Sequence, residues 1–272
     1  MNRRVFFGGV GASVVGLLSG CTSSKLSFGS ERRSDSLSYD VESGTRLAIR
    51  NRNGSVTVEG HDGDTVEVDV EISGNSSEAV QAVSIADTRT NGTLELETTY
   101  GDIGDQPEPS VEYTVQCPKA VQVGMVRTRN GSVEVTQVTG DAELRSENGS
   151  LTAEEVSGTV SLTTKSGTVT ARAVDGLAGA KTLDGSIALD VPSIPGNTTV
   201  TTANGSIDAA VASSLDAEVF ASTTSGTIEL HDLELSSVDS SQTSIHGSLG
   251  DGNSKLTFET TNGSIDLRSL SD

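Results

Sequence analysis

The chain has 272 residues, 33% hydrophobic but only 3% aromatic, with no tryptophan and a formal net charge of −20. That acidity excludes non-specific nucleic-acid binding, which needs a basic surface to neutralise phosphates. With so few rings available, any core must be built from small aliphatic side chains in a narrow space.

Residues 1–20 read as an export signal. Arg3 and Arg4 form a twin-arginine pair resembling an export motif, and an apolar stretch follows from Phe6 to Leu18. At about 13 residues it is shorter than the roughly 20 a membrane-spanning helix requires. A positive start, a short apolar core and small residues before a cleavage point make a signal peptide. The end of the segment, Leu18-Ser19-Gly20-Cys21, reads as a lipobox, in which Cys21 becomes the first mature residue and carries the lipid. The alternative is an ordinary signal peptide with a coincidental Cys. The lipobox reading predicts an extracytoplasmic protein attached to the membrane through its anchor. Removing Arg3 and Arg4 with the leader takes the mature chain from −20 to −22. Its acids are scattered, which suggests a solvating surface of the kind found in salt-adapted proteins, where salt screens self-repulsion.

Residues 21–36 are Ser-rich, charged and aperiodic, and read as a flexible tether. Residues 37–123 alternate like strands over Thr45–Arg50, Ser55–Glu59, Thr65–Ile72, Thr93–Thr98 and Ser110–Gln116. Ser76–Asp87 is the one short helix expected, and Gly101–Pro109 is an acidic Gly/Pro loop. This region reads as wider, irregular opening turns that cap a repeat array. With Cys21 lipidated, Cys117 has no partner, so no disulfide framework forms. In an apolar-flanked strand it reads as a buried small hydrophobe.

From Leu37 on one signal repeats: a turn residue, Gly, Ser or Thr, then an aliphatic residue. It occurs as Asn53-Gly54-Ser55-Val56, Asn130-Gly131-Ser132-Val133, Asn148-Gly149-Ser150-Leu151 and Ser166-Gly167-Thr168-Val169. Further copies begin at Asp184, Asn204, Ser225, His246 and Asn262. Gly131, Gly149, Gly167 and Gly185 lie 18 residues apart, with Gly140, Gly158 and Gly176 halfway between. A strict nine-residue interval marks a repeat architecture. Asn-Gly also signals hairpins, but a meander has no need of the same string after every turn. In a solenoid, equivalent positions meet identical neighbours, so the same residue recurs. The sequence therefore predicts an all-β, parallel β-solenoid: a flattened β-helix of about 18–21 residues per rung, with about eight rungs over residues 124–272.

Three stretches carry a resemblance to a known family. They are Leu47–Gly60 with Asp62-Gly63-Asp64 and Val66, Val111–Lys119 leading into Val126–Val135, and the recurring corner as far as the C-terminus. Together they resemble the DUF4097-type family of adhesin-like β-helix domains. Family members usually carry Gly-Asp-Ile or Gly-Asp-Val at the corner, where Ser or Thr replaces the Asp here. The resemblance implies a surface-exposed β-helix and brings no established catalytic residues.

Candidate chemistry is sparse. The histidines are His61, His231 and His246, and no Gly-x-Ser-x-Gly elbow precedes a helix. His246 reads as a substitute corner residue. Calcium-binding β-rolls need Asp at every corner, whereas Asp175 and Asp184 are sporadic. Polysaccharide-cleaving β-helices set carboxylates on one face. The acids Glu134, Glu143, Glu154, Glu155, Asp208, Glu229 and Asp266 fall mostly on outward strand positions, where solvation accounts for them. Of the Asn-x-Ser/Thr sequons, Asn75 and Asn197 lie outside the corner motif and are the glycosylation candidates. The reading is a non-catalytic, lipid-anchored envelope module presenting a rigid face to a protein or glycan, with no catalytic, cofactor or metal residue assigned. An extracytoplasmic polysaccharide-acting enzyme of β-helix type is the alternative.

Overall fold

The computed structural model describes residues 30–271. They form one helix, α1 (Ser77–Gln81), and 21 strands numbered in chain order. The first seven are β1 (Glu31–Asp40), β2 (Arg46–Arg50), β3 (Val56–His61), β4 (Thr65–Gly74), β5 (Val83–Thr90), β6 (Thr93–Tyr100) and β7 (Ser110–Pro118). Then come β8 (Gln122–Arg127), β9 (Val133–Thr136), β10 (Ala142–Arg145), β11 (Leu151–Thr163), β12 (Val169–Lys181), β13 (Ile187–Val191) and β14 (Thr198–Asn204). The last are β15 (Ile207–Val211), β16 (Ala217–Ser225), β17 (Ile228–His231), β18 (Ser236–Ser240), β19 (Ser244–Leu249), β20 (Ser254–Asn262) and β21 (Ile265–Ser269).

The strands stack as a flattened parallel β-solenoid with two walls. Each rung contributes one strand to each wall, and the long strands β11 and β12 bend from the second wall into the first. In the regular part a rung is 18 residues, so Leu151 pairs with Val133 and Val169, and Val169 with Ile187. Stacking makes ladders of like residues. One runs Val56, Val133, Leu151, Val169, Ile187, Ile207, Ile265, Ile228 along the second wall. Facing it, Leu96, Ile49, Val126, Leu144, Leu162, Ala180, Val200, Phe258 and Ala221 line the first. All are buried. Burying each Val, Leu or Ile stabilises by roughly 1.5–3 kcal/mol, so the core gains strength by repetition rather than by large rings.

The rungs do not stack in chain order at either end. The first, β2–β3, lies between β6–β7 and β8–β9. The last, β20–β21, lies between β14–β15 and β16–β17. Among the described residues the stack has nine rungs, seven of them from residues 124–272, against about eight expected there. Antiparallel strands then cover the ends: β5 on β6, β4 and β1 on β7, and the β18–β19 hairpin on β16. Unpaired edges invite association, and these additions leave only short or polar strands outermost.

Three expectations need correction. Residues 31–36, read as tether, belong to β1 and pair with β4. The helix stops at Gln81, with Ser76 capping Ala79 N–H at 3.1 Å, and Val83 already starts β5. His246-Gly247-Ser248 turns no corner: it lies within β19, antiparallel to β16, where His246 stacks on Phe220 at 4.2 Å between ring centroids.

The true corners are held by three side-chain ladders. Asn amides donate along the stack: Asn53 to Glu108, Asn130 to Asn53, Asn148 to Asn130, then Asn204 to Asp184 and Asn262 to Asn204, at 2.6–3.1 Å. Ser hydroxyls accept the next rung's backbone N–H, as Ser132 does from Ser150 at 3.2 Å. Inside, a buried hydroxyl three residues before each corner Gly after Gly54 donates to the neighbouring rung's Gly carbonyl. Thr128, Ser146, Thr164, Thr182, Thr202, Thr260 and Thr223 do so at 2.8–3.1 Å. This accounts for most of the buried polar side chains in the core, none of which is left unsatisfied among the described residues.

Candidate functional site

The outward side chains of the two walls form rows set by the same register. On the first wall one row runs Arg50, Arg127, Arg145, Thr163, Lys181, Thr201. Beside it, across the buried hydroxyl ladder, runs Arg52, Arg129, Glu147, Lys165, each donating its N–H to the carbonyl of the one before. Arg50, Arg52, Arg127 and Arg129 surround a cleft of about 140 Å³, with Glu97 on its rim and Asn51 and Thr98 at its base. The base is fixed. Asn51 Nδ2 donates to the carbonyls of Asn53, Gly54 and Val111, and its Oδ1 accepts from Thr98, which also meets the Tyr113 hydroxyl at 2.7 Å.

Ion pairs engage part of this charge. Arg50 pairs with Glu95, Arg52 with Glu108 and Arg145 with Glu143, while Arg52 also lies 5.1 Å over the Tyr100 ring. Glu147 meets Lys165 at 2.6 Å and Arg129 only at 3.8 Å. The Lys165 contact, with Arg129 and Arg127 nearby, holds the Glu147 carboxyl below the usual range. Arg127 has no ion pair among the described residues.

The second wall is acidic. Asp208, Asp266 and Glu229 sit on three successive strands of one row. Arg268 pairs with Asp208. His231 Nε2 lies 3.4 Å from Glu229, and ligand atoms of Glu229, His231 and Asp266 all fall within 4.8 Å of one another. One imidazole and two carboxylates are a donor set able to hold a divalent cation such as zinc. The sequence reading singled out these acids but not their company with His231. Glu134 and Glu154 share the wall, whereas Glu143 is on the other, paired with Arg145, and Glu155 turns the second corner. That corner carries a shallow groove of about 370 Å³ between Lys119, Gln137, Glu155, Ser157, Ala173 and Asp175. Gln137, Glu155 and Ala173, 18 residues apart, all adopt left-handed backbone there (φ 56°, 52° and 48°).

Asn75 is exposed just before α1. Asn197 is exposed too, but its Oδ1 accepts the Lys255 N–H at 3.0 Å. Cys117 is buried, and loss of solvation pushes its thiol up to about 12. His61 meets the Thr65 carbonyl at 3.0 Å. Arg3, Arg4 and Cys21 lie outside the described residues. No helix among the described residues is long and apolar enough to cross a membrane. The arginine rows were missed from sequence, although Arg50-Asn51-Arg52-Asn53-Gly54-Ser55-Val56 and Arg127-Thr128-Arg129-Asn130-Gly131-Ser132-Val133 share one pattern. The 18-residue period also carries Arg127 to Arg145.

Rungs, corner ladders and end caps define the class: a β-solenoid with fixed polar faces. Residues 29–268 match the Toastrack DUF4097 family, and the chain belongs to it. Three solved structures align along most of the chain. One, a putative cell adhesion protein from Clostridium sporogenes ATCC 15579, is 12% identical over 89% of this chain and 100% of its own, with a TM-score of 0.36. A putative adhesin from Bacteroides fragilis NCTC 9343 is 13% identical over 86% and 97%, with a TM-score of 0.39. A putative lipid binding protein from Parabacteroides distasonis ATCC 8503 is 10% identical over 88% and 97%, with a TM-score of 0.42. No curated protein matches the sequence significantly.

Proposed function

We propose that this protein is a non-catalytic module of the cell envelope, anchored by lipid at Cys21, that holds a stiff solenoid face out to a partner. The observation that carries the reading is the register of the walls. The backbone under each outward side chain is held at strand spacing, about 4.8 Å from its neighbour, by the sheet and corner ladders. Such a surface is organised before binding, which lowers the ordering cost of association. The anchor rests on the Leu18-Ser19-Gly20-Cys21 sequence, and export on the segment containing Arg3 and Arg4.

Glu229 beside Asp266 favours the second reading, a polysaccharide-acting enzyme. Against it, the pair sits in an outward row of the second wall near the end of the stack, and neither cleft described above reaches it. The test is to incubate the mature chain with intact envelopes and measure both saturable binding and release of reducing ends. The proposal expects binding without release. Release that is lost in Glu229→Gln would establish the enzyme instead, and absence of binding would remove the display role. Separately, Cys21→Ser should leave the precursor unprocessed or free in the medium, and unchanged membrane attachment would refute the anchor.

A further inference from the structure

The arginine rows run against the character of the molecule. The chain has 38 acids to 18 Lys and Arg, yet Arg50, Arg127 and Arg145 stand directly opposite one another on neighbouring strands of the first wall. Like charges so placed destabilise a sheet. The same row accommodates Thr163 and Thr201 one and three rungs further along, so the fold itself does not require arginine there. Two of the four guanidinium groups around the cleft are engaged, Arg50 by Glu95 and Arg52 by Glu108. Arg127 is unpaired among the described residues, and Arg129 reaches Glu147 only at 3.8 Å. Both open onto a cleft whose floor, Asn51 and Thr98, is already saturated with hydrogen bonds and cannot turn to satisfy them.

We infer that this cleft binds a carboxylate or sulfate group of a linear acidic polysaccharide that runs along the first wall. The inference rests on the reading of the protein as a binding module. Guanidinium forks recognise planar or tetrahedral oxyanions through paired N–H donors. At about 140 Å³ the cleft has room for about four or five waters at roughly 30 Å³ each. It therefore grips one pendant group and not a whole sugar. Beyond it, Arg145 and Lys181 continue the row along the stacking axis, so a polymer held at the cleft meets further cations at one-rung and three-rung intervals. Two rows meet at the cleft; beyond it the first row continues as Arg145 and Lys181, with Glu143 and Glu147 beside it. That fits a single chain of spaced anions, not a flat layer of headgroups. A bilayer would also need an apolar flank, whereas Leu183 and Val238 are the exposed large hydrophobic residues among those described.

The test uses the mature chain at the lowest salt giving a cooperative melt, with polygalacturonate, dextran sulfate, neutral dextran, a thymidine oligonucleotide and phosphatidylglycerol vesicles as probes. At least one acidic polysaccharide should bind and neutral dextran should not. The double variant Arg127→Ser/Arg129→Ser should melt as the parent does, because both side chains are exposed, yet bind about tenfold more weakly or worse, the loss expected when charged partners are removed. Arg32→Ser, with a change of the same sign on the exposed edge strand β1, should bind within about twofold of the parent. Equal loss in Arg32→Ser, binding to neither polysaccharide, or preference for the oligonucleotide or vesicles would each overturn the inference. If the double variant keeps full affinity for intact envelopes, this cleft is not the contact while the module reading stands. If even the parent fails to bind envelopes, both fall.

Discussion

Glycine recurs at the corners for a reason that the sequence pattern only half discloses. An absent β-carbon permits left-handed backbone, and Gly131 and Gly167 use it, with φ of 146° and 144°. Gly185 does not lie in that region, yet a β-carbon on it would meet the Gly167 carbonyl oxygen at 2.1 Å. The shared requirement is close approach of stacked corners. Gly44 is the opposite case, with φ +84° and open space around it. Gly185→Ala should therefore cost about 3 kcal/mol by overpacking, while Gly44→Ala costs about 1–2 kcal/mol for its backbone alone. Urea melts giving equal losses would contradict the close-approach account. The buried hydroxyl three residues before each corner Gly after Gly54 was equally present in the sequence and went unread, because Thr looks like any strand residue until its partner carbonyl is placed. Cys117 belongs to this scale too. Burial pushes its thiol from 9.0 to about 12, so in a Cys21→Ser chain it should resist a disulfide reagent at neutral pH until the fold opens. Because its folded value is raised, its contribution is intact below pH 9 and is lost as pH rises towards 12. Rapid labelling of the native chain would contradict this.

At the level of the element, in–out alternation was legible because stacked strands repeat it: Val133–Thr136 and Leu151–Glu154 bury alternate residues as their patterns imply. Leu151→Ala should cost about 2–4 kcal/mol through a cavity in the ladder, and Thr152→Ala no more than about 0.5 kcal/mol. Comparable losses at the two positions would remove the assigned register. Strand direction was not legible. β4 and β19 alternate as parallel strands do, since the period of two depends on burial and not on the neighbour's polarity. The His246-Gly247-Ser248-Leu249 string imitates a corner, but Gly250 and Asp251 follow where a true corner places a second inward residue, as Leu267 follows Ile265. The arginine cleft was hidden for a related reason. It joins residues about 77 positions apart, and only the intercalation of β2–β3 against β8–β9 makes them neighbours.

For the whole molecule, charge and stacking set opposite demands. A chain at −20 repels itself more strongly as ionic strength falls and the screening length grows. The ladders give each rung only two neighbours, so weakening one loosens those beside it. The melting temperature should rise steadily from dilute buffer to molar salt, and a salt-independent melt would show that the scattered acids carry no such cost. The period of the repeat announced a stack, but not that its first and last rungs are each laid between two others, because that order depends on contacts between segments far apart in sequence. The rung order is tested most directly by paired cysteines in a Cys21→Ser chain. Ser206 and Ser264 occupy neighbouring rungs, with Ser264 N–H 3.2 Å from Ser206 Oγ, and Thr227 lies one rung beyond. Neighbouring strands bring Cα atoms within the reach of a disulfide, which fails beyond about 7 Å. The account predicts rapid cross-linking of Ser206→Cys with Ser264→Cys and none of Ser206→Cys with Thr227→Cys. Cross-linking of the second pair but not the first would mean rungs stacked in chain order, and would contradict it.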